Sequence, residues 1–387
     1  MSARKAFVLV CAAALMCGSR ASADTQPWSV EKANAWYAKQ RWLVGSNYIP
    51  ADAINQLEMW QQETFNPAQI DKELGWAEAT GMNTMRVFLH DKLWAPDSLG
   101  FKRRIDQFLG LAAKHKIKPL LVFFDSCWDP DPKLGRQHPP VPGVHNSGWV
   151  QSPGRAALAD PAHYPELKAY VQGVIGAFAQ DDRILGWDVW NEPDNVSGGT
   201  GENSPAGRAQ LAAVTTLLPQ VFAWAREAGA SQPLTSGVWQ PDDPSAKRPL
   251  NAVERLQLEQ SDFITFHVYD WPEIFERKVK QLQAHGRPII CTEYLARDVG
   301  STFDTSLPIA RKYNVGMINW GFVVGKTQTN LPWNSSQPPY TQSQPSVWHH
   351  DLFHADGKPY RQAEIDQLRE LTSLAQKEFE KKNRRRR

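Results

Sequence analysis

The chain of 387 residues has few cysteines and no strong excess of charge of either sign. Four cysteines occur, and two of them, Cys11 and Cys17, fall in an apolar N-terminal stretch. Cys127 and Cys291 lack the spaced cysteine and histidine companions of a zinc site, so no metal is expected. An oxidising compartment would permit a disulfide between them, but we place them far apart around the predicted sheet and expect none. The composition therefore excludes a disulfide-stapled scaffold.

Long apolar runs are absent after residue 23, so we expect no membrane span, which needs ~20 apolar residues. The first 23 residues instead have the layout of a secretory signal peptide. They comprise a positive start, an apolar stretch and a small-residue cleavage signature, at Arg4-Lys5, Ala6 to Gly18 and Ala21-Ser22-Ala23. We expect cleavage near Ala23 and a secreted or periplasmic mature protein. Lipid attachment at Cys17 is a disfavoured alternative, because the residue before it matches that signal poorly.

The charge balance argues against a nucleic-acid-binding protein. The chain holds 43 basic and 41 acidic residues, a net charge of +2 with neutral histidines. Without the three basic residues of the signal peptide, Arg4, Lys5 and Arg20, the net charge becomes −1. Six of the remaining 40 basic residues lie in residues 381–387, which we expect to be a disordered basic tail. Residues 24–380, which we expect to form the folded domain, are therefore acidic and unsuited to a polyanion.

Strand-like and helix-like segments alternate along the chain. The predicted strands are Trp42–Tyr48, Thr84–Leu89, Pro119–Phe124, Ile184–Trp190, Leu234–Trp239, Phe263–Tyr269, Pro288–Tyr294 and Val315–Phe322. The predicted helices include Ala68–Thr80, Phe101–Lys116, Tyr164–Gln180, Ala206–Ala228 and Trp271–His285. Eight such units in series predict the α/β class and a single (β/α)8 TIM barrel. An open doubly wound sheet is disfavoured, because no Gly-rich phosphate loop follows the first strand.

Two long loops are predicted at the C-terminal rim of this barrel, Cys127–Ala162 and Asn330–Gln344. The first is rich in Pro, Gly, His and Trp, and we expect it to wall the mouth of the barrel. Histidines 138, 145, 349 and 350 are expected in solvated loops. Sixteen tryptophans are more than core packing readily explains, so several are expected to line a surface or cleft.

Two glutamates carry the clearest chemical signal. Glu192 follows an apolar, Trp-rich strand and precedes Pro193, and Glu293 ends a second apolar run about a hundred residues later. Bulky apolar neighbours raise the pKa of a carboxyl group, which is the requirement for a general acid near neutral pH. Two strand-end glutamates on one scaffold suggest paired-carboxylate chemistry, of which cleavage of a glycosidic bond is the commonest case.

Other polar and aromatic residues fall at the same rim, where sites form in such barrels. They are Arg86, Asp125, Asn191, Trp239, His267, Tyr269 and Trp320. With Asn191-Glu192-Pro193 on the fourth strand, His267-x-Tyr269 on the sixth and Glu293 on the seventh, the chain resembles the clan A glycoside hydrolases. It is most similar to the cellulase-type family five and its relatives. One departure is Phe124-Asp125-Ser126-Cys127, where typical family members carry a histidine.

The resemblance implies a retaining β-glycosidase without a cofactor, acting on a β-linked, by preference β-1,4-linked, oligosaccharide or polysaccharide. It implies Glu293 as the nucleophile and Glu192 as the acid/base, with the other rim residues around the sugar. Arg86 and Tyr269 are expected to hold Glu293 and keep its pKa low, and Asn191 to donate to the sugar 2-hydroxyl. Asp125 is expected to contact a sugar hydroxyl or hold Arg86. We expect a monomer with a carbohydrate substrate.

Three other functions remain open from the sequence. A catalytically silent carbohydrate-binding barrel would keep the aromatic wall, but the presence of both glutamates counts against it. A transglycosylase would use the same two glutamates, and only product analysis separates it from a hydrolase. A metal-dependent barrel hydrolase is disfavoured, since the sequence shows no clustered His and Asp ligands at the strand ends.

Overall fold

A computed structural model describes residues 26–196, 204–240, 249–343 and 345–385. The predicted signal peptide, residues 1–23, lies outside the described residues, so its cleavage and the expected export stay predictions. No helix of the described part is both long and apolar enough to cross a membrane.

Eight parallel strands form one sheet in the order β5-β4-β3-β2-β1-β8-β7-β6. They are β1 (Val44–Asn47), β2 (Thr84–Phe88), β3 (Leu120–Asp125), β4 (Gly186–Asn191), β5 (Leu234–Thr235), β6 (Ile264–His267), β7 (Ile289–Glu293) and β8 (Gly316–Asn319). The ring closes where Val238, just after β5, bridges to Phe266 of β6. The predicted (β/α)8 barrel is therefore confirmed.

Helices surround the strands. Within the described residues they are α1 (Val30–Tyr37), α2 (Gln56–Trp60), α3 (Pro67–Ala79), α4 (Trp94–Lys114), α5 (Arg155–Ala159), α6 (Tyr164–Phe178), α7 (Pro205–Glu227), α8 (Ala252–Gln260), α9 (Pro272–Gln283), α10 (Phe303–Tyr313) and α11 (Gln362–Arg384). Local sequence signals start several of them. The side chain of Asn251 and that of Glu254 form a capping box at α8, and Asn66 caps α3 ahead of Pro67.

The strands agree with the predicted segments, and all but β3 are shorter than predicted. The largest difference is β5, which spans two residues where Leu234–Trp239 was predicted. Beyond β5, hydrogen bonds that involve side chains replace the backbone hydrogen bonds between neighbouring strands. The amide of Ser236 donates to Ser261 Oγ at 3.1 Å, and Ser236 Oγ donates to the carbonyl of Trp190 at 2.8 Å. The strand pattern in the sequence cannot reveal this substitution of side-chain partners for backbone partners.

Apolar side chains contact one another across the ring of strands. Leu120 of β3, Ile290 of β7 and Ile318 of β8 belong to one buried cluster, together with Leu43, Leu185 and Phe263. Since β3 and β7 are not neighbours in the sheet, these side chains meet across the ring and fill the inside of the barrel. A larger cluster lies between strands and helices. The barrel interior is thus a packed core that supports the rim above it.

The C-terminal segment differs from its prediction. Helix α11 continues to Arg384, so residues 381–384 are helical, whereas the sequence predicted a disordered tail from residue 381. Lys381, Lys382 and Arg384 lie in the last turn of the helix, where positive charge interacts favourably with the helix dipole. The basic cluster therefore extends this helix rather than preventing it.

Candidate active site

The two glutamates lie at the barrel rim and face each other. Glu293 is the last residue of β7, and Glu192 follows the last residue of β4. A carboxylate oxygen of each lies within 4.8 Å of the other, with a ring nitrogen of His267 in the same group. Their exposed fractions are 8% for Glu192 and 5% for Glu293. This spacing matches a carboxyl pair without room for a water molecule between the two groups.

The backbone turns sharply to present Glu192. Its φ angle is +44°, in the left-handed region that residues other than glycine, asparagine and aspartate rarely adopt. Such conformations persist where the surroundings hold them, and they occur often at functional sites. Here the carbonyl of Glu192 accepts from the amide of Asn195 at 2.9 Å, which closes the turn after β4.

Arg86 of β2 organises the Glu293 side of the site. Its side chain is fully buried and donates from Nη1 to Glu293 Oε1 at 3.0 Å. It also donates to Asp188 Oδ2 from Nε at 3.0 Å and from Nη2 at 2.8 Å, and to Asn191 Oδ1 at 2.7 Å. The hydroxyl of Tyr269 donates to Glu293 Oε2 at 2.8 Å. Both oxygens of Glu293 are thus held by hydrogen-bond donors.

Glu192 has a different set of partners. Asn195 Nδ2 donates to its Oε2 at 2.7 Å, and the thiol of Cys127 donates to the same oxygen at 3.2 Å. Its Oε1 lies 2.7 Å from Nδ1 of His267. No ion pair joins Glu192 to an arginine or lysine among the described residues. Of the two glutamates, only Glu293 therefore contacts the cation of the site.

Burial raises the pKa of both glutamates above the ordinary range. For Glu293, contacts with His267, Arg86 and Tyr269 act in the opposite direction, but burial outweighs them. The expectation that Arg86 and Tyr269 keep this pKa low is therefore wrong for the net direction. The two carboxyl groups share one site, and Arg86 touches only Glu293. This contact therefore favours the ionised form at Glu293 over the ionised form at Glu192.

His267 is a neutral partner of the pair. Burial lowers its pKa to about 4, so the ring is uncharged at neutral pH. Its Nδ1 is bonded to Glu192, and its Nε2 lies 3.6 Å from Glu293 Oε1. A neutral imidazole therefore lies beside both carboxyl groups without adding a second positive charge to that of Arg86.

A cavity of about 380 Å³ opens directly above these groups, within the range that small-molecule sites occupy. Its walls are rich in aromatic rings. They include Trp128, Trp149, Trp239, Tyr269, Trp320 and Trp333. Flat apolar rings beside buried polar groups form the type of surface on which a sugar ring packs.

Asp125 and Asn191 lie on the β3–β4 side of the cavity. Asn191 Nδ2 donates to Asp125 Oδ1 at 2.9 Å, and Trp149 Nε1 donates to Asp125 Oδ2 at 2.7 Å. Burial raises the pKa of Asp125 to about 6. Asp125 has no hydrogen bond to Arg86 among those described, and Asp188 holds the arginine instead. Asp125 thus fixes the side chains of Asn191 and Trp149.

The structure brings all nine predicted site residues to one rim. Trp239 lines the cavity and donates from Nε1 to Asp194 Oδ1 at 2.6 Å, which fixes its ring. Several tryptophans were expected to line a surface or cleft, and Trp128, Trp149 and Trp333 reach the cavity. Trp94 instead packs against Tyr170, and Trp271 is exposed. The roles of the cavity-lining tryptophans in substrate binding stay predictions.

The histidines expected in solvated loops need a correction. His145, His349 and His350 are buried, with exposed fractions of 1%, 1% and 0%, and only His138 is exposed. They pack together where the long loops after β3 and β8 meet. A loop histidine is usually solvated, but contact between two distant loops can bury it, and the sequence gives no sign of that contact.

Four residues that contact Arg86 or Glu192 were not predicted. Asp188 lies inside β4, and Asn47 ends β1 and accepts from Arg86 Nη1 at 3.0 Å. Cys127 and Asn195 contact Glu192. Asp188 did carry a signal: a lone acid within an apolar strand needs a buried cationic partner. Asn47 and Cys127 carried none.

One group of described residues has the spacing of a metal site, and it consists of Glu192, His267 and Glu293. A cation there would face the Arg86 guanidinium, which lies 3.0 Å from Glu293. The bound cation and the guanidinium would therefore be close to each other, and like charges repel strongly in a buried site. The donor set therefore fits proton transfer better than metal binding.

Comparisons with solved structures agree with the barrel fold. The chain is similar to an exo-β-1,4-mannosidase from an Opitutaceae bacterium, at 18% identity and a TM-score of 0.52 over 86% of this chain and 60% of that one. It is similar to an endo-1,4-β-mannanase from Rhizomucor miehei, at 13% identity and a TM-score of 0.54 over 86% and 98%. A β-glucosidase designated 1317 matches at 14% identity and a TM-score of 0.55 over 87% and 98%.

The chain has the (β/α)8 fold of these glycoside hydrolases. The resemblance to clan A predicted from the sequence is thereby confirmed at the level of the fold. The chain spans about 60% of the length of the exo-β-1,4-mannosidase. No protein family model matches the chain, and no curated protein matches it in sequence.

Proposed function

We propose that the protein is a retaining β-glycosidase that cleaves by double displacement. The observation that carries this proposal is the pair Glu192 and Glu293, whose oxygens lie within 4.8 Å, with Arg86 bonded to only one of them. A retaining enzyme needs carboxyl groups about 5 to 5.5 Å apart, one of them ionised and the other protonated. The asymmetric contact with Arg86 supplies that difference.

In the first step, ionised Glu293 attacks the anomeric carbon while protonated Glu192 gives its proton to the leaving oxygen. A covalent bond forms between Glu293 and the sugar as the glycosidic bond breaks. Arg86 and Tyr269 hold the Glu293 oxygens, so the attack needs little reorganisation. Asn191, held by Arg86 and Asp125, is placed to donate to the 2-hydroxyl.

In the second step, Glu192 has lost its proton and acts as a base. It removes a proton from a water molecule, which attacks the anomeric carbon and releases Glu293. Asn195 and Cys127 donate to Glu192 Oε2 and stabilise the ionised form that this step needs. Once Glu293 becomes neutral in the intermediate, the pKa of Glu192 falls, because the neighbouring negative charge has disappeared.

The proposed substrates are β-1,4-linked oligosaccharides of gluco- or manno-configured sugars. The support is the resemblance of the rim residues and the solved neighbours, which are named as a β-1,4-mannosidase, a β-1,4-mannanase and a β-glucosidase. We also propose export to the periplasm or the medium, on the basis of the signal-like residues 1–23. N-terminal sequencing of the exported chain tests this, with residue 24 expected first.

The decisive test is sugar release by residues 24–387 from a panel of β-glucans, mannans, xylans and aryl β-glycosides. Wild type should release sugar, and Glu293→Ala should lower the rate at least ~10³-fold with the fold intact by circular dichroism. Azide should restore the rate of Glu293→Ala on an aryl glycoside and give the α-glycosyl azide, because azide replaces the missing nucleophile. Substantial activity of Glu293→Ala without azide would reject the assignment.

Glu192→Ala serves as the matched variant for the acid. A dinitrophenyl leaving group needs no proton, so the formation of the glycosyl-enzyme should stay fast with it and slow strongly with an alkyl or sugar leaving group. Equal loss on both substrate types would show that Glu192 is not the acid. A binding barrel would retain affinity for oligosaccharide in calorimetry but release nothing, and a transglycosylase would form longer products at high substrate concentration.

A further inference from the structure

Two loops of the rim are joined to each other over one side of the cavity. The β3 loop comprises residues 126–154, and the β8 loop comprises the described residues between 320 and 361. Six hydrogen bonds connect them, and we call this contact the rim bridge. They are Asn146 N to Thr327 O (2.8 Å), Gly143 N to Gln328 Oε1 (3.0 Å), His145 N to Ser335 Oγ (2.8 Å), His145 Nδ1 to Leu331 O (2.7 Å), and Gln328 Nε2 to Val141 O (2.7 Å) and Val144 O (2.9 Å).

The position of the rim bridge follows from the strand order. Strands β3 and β8 flank β2 and β1 in the sheet, so a contact between their loops passes over the ends of those two strands. The loop after β1 fills the space behind it: Asn55 Nδ2 donates to Gly148 O at 2.8 Å, and Lys326 pairs with Glu58 at 2.5 Å. The rim is therefore covered from β3 round to β8.

Aromatic rings seal the inner face of the bridge. Trp149 and Trp320 pack edge to face at 5.7 Å, and each packs in the same way on Phe88 of β2. Behind these rings the remaining cavity measures about 20 Å³, enough for about one water molecule. A second sugar ring cannot be placed there.

The two glutamates fix which part of a substrate lies on this side. Glu192 must contact the glycosidic oxygen, so the leaving group extends past the end of β4. The sugar attacked by Glu293 lies on the other side of that oxygen, above Arg86 of β2 and beside Trp320 after β8. The side of the cavity that the rim bridge covers is therefore the side on which the non-reducing end of the substrate must fit.

We propose that the rim bridge closes the cavity behind a single sugar unit, so that the enzyme removes one terminal sugar at a time from the non-reducing end. This exo mode rests on the proposed glycosidase function. Its substrates are oligosaccharides with an unsubstituted terminal β-linked sugar, and internal bonds of a polymer are not cleaved.

The test uses the responding sugar of the panel as a series of oligosaccharides of two to six units, labelled with a fluorophore at the reducing end. At early time points the labelled product should be one unit shorter than the substrate at every length. Labelled products shorter by two or more units before any accumulation of the one-unit product would overturn the proposal. Absence of release from every aryl glycoside and oligosaccharide would instead reject the glycosidase function itself.

A double variant tests whether the rim bridge is what limits the released product to one sugar unit. Four of the six bonds are made by the side chains of Gln328 and Ser335, and Gln328→Asn shortens the first while Ser335→Ala removes the hydroxyl of the second. The control Gln337→Asn with Ser343→Ala makes the same changes at exposed positions of the β8 loop. The first variant should exchange the amide hydrogens of Gly143 and His145 at least tenfold faster and release two-unit products. The control should behave as wild type in both measurements.

Either of two results would overturn the role of the bridge. Faster exchange with products still one unit long would show that the bridge does not limit substrate length. Unchanged exchange would show that these bonds do not hold the loops together. Release of nitrophenol from an aryl monoglycoside by both variants checks that the fold and the two glutamates are intact.

Discussion

At the scale of single residues, the thiol of Cys127 lies beside the carboxyl group of Glu192, the proposed acid/base. It donates to Glu192 Oε2 at 3.2 Å and lies 3.5 Å from Asn191 Nδ2. Burial and the carboxylates of Asp125, Glu192 and Glu293 raise its pKa well above the ordinary range. The group is therefore a neutral hydrogen-bond donor, and we expect it to react slowly with alkylating reagents.

Replacement of Cys127 should move the basic limb of the pH–rate profile. The hydrogen bond from Cys127 lowers the pKa of Glu192, so Cys127→Ala should raise that pKa and shift the limb upward, by about half a pH unit to one unit. Cys127→Ser keeps a donor and should give a profile close to wild type. Profiles of kcat/KM on a substrate with a poor leaving group provide the measurement. Coincident profiles of wild type and the alanine variant would contradict this role.

The site residues differ in how far the sequence could predict them. Glu192, Glu293 and the other predicted residues follow recognisable strand patterns, and parallel strands carry their ends to one rim. Asn47 and Asp188 act through Arg86, from positions 39 and 102 residues away along the chain. Such pairing depends on which strands lie opposite each other inside the barrel, and strand patterns alone do not determine it.

At the scale of elements, strand β1 depends on a glycine for its contact with β2. Gly45 is opposite Thr84, and a Cβ atom at Gly45 would lie 1.9 Å from the carbonyl oxygen of Thr84. Only glycine permits the two backbones to come this close. Because β1 also carries Asn47 toward Arg86, this contact supports both the sheet and the site.

Gly45→Ala should destabilise the protein by about 2 kcal/mol or more, since a buried strand must move to admit the methyl group. Gly110→Ala is the matched control: Gly110 is exposed on α4, and a Cβ atom added there would have no neighbour within 4 Å. At that position, alanine should stabilise the helix by about 0.5 to 1 kcal/mol. Urea unfolding of both variants measures the difference. A loss at Gly110, or no loss at Gly45, would contradict this packing of β1 against β2.

Among the elements, the eight strands were predictable because they are short apolar segments between helices of regular period. The ends of the strands were less predictable, as in β5, beyond which a hydrogen bond from Ser236 to the side chain of Ser261 replaces backbone pairing. Helix α11 illustrates the opposite case. Its last turn is rich in lysine and arginine, a composition typical of a disordered tail, yet the preceding helix and its dipole extend order to Arg384.

At the scale of the whole molecule, three uncharged histidines join the rim loops. The ring centroids of His349 and His350 are 4.2 Å apart, and that of His145 lies 5.6 Å from His350. Burial lowers the pKa of all three, that of His145 to about 3. Asp298 pairs with His349, while the positive charge of Arg297 lowers the pKa values of His349 and His350 further.

Acid should therefore weaken the fold through His145. The unfolded chain binds a proton there near the ordinary pKa of 6.5, but the folded chain does so only near 3, so a fall in pH favours unfolding. From pH 7 to pH 5 wild type should lose about 2 kcal/mol relative to His145→Asn, which keeps the donor to Leu331 O without the titration. Urea unfolding at both pH values measures this. An equal change in the two proteins would contradict it.

The overall architecture was predictable because eight repeated units leave few ways to bury their apolar faces. The closure of the rim was not, since it depends on contacts such as Gln328 with Val141, which are 187 residues apart. Loop contacts of this kind leave no periodic pattern in the sequence. The difference between a cleft open at both ends and a pocket is consequently a property of the folded molecule.

The proposed exo mode also has a kinetic consequence. A pocket closed behind the bound sugar has a single exit, so the two products must depart in a fixed order. The leaving group departs first, and the terminal sugar can follow only after the passage is clear. The free monosaccharide then re-enters the same position that the substrate needs. It should act as a competitive inhibitor, and turnover should slow as hydrolysis proceeds, long before the substrate is exhausted.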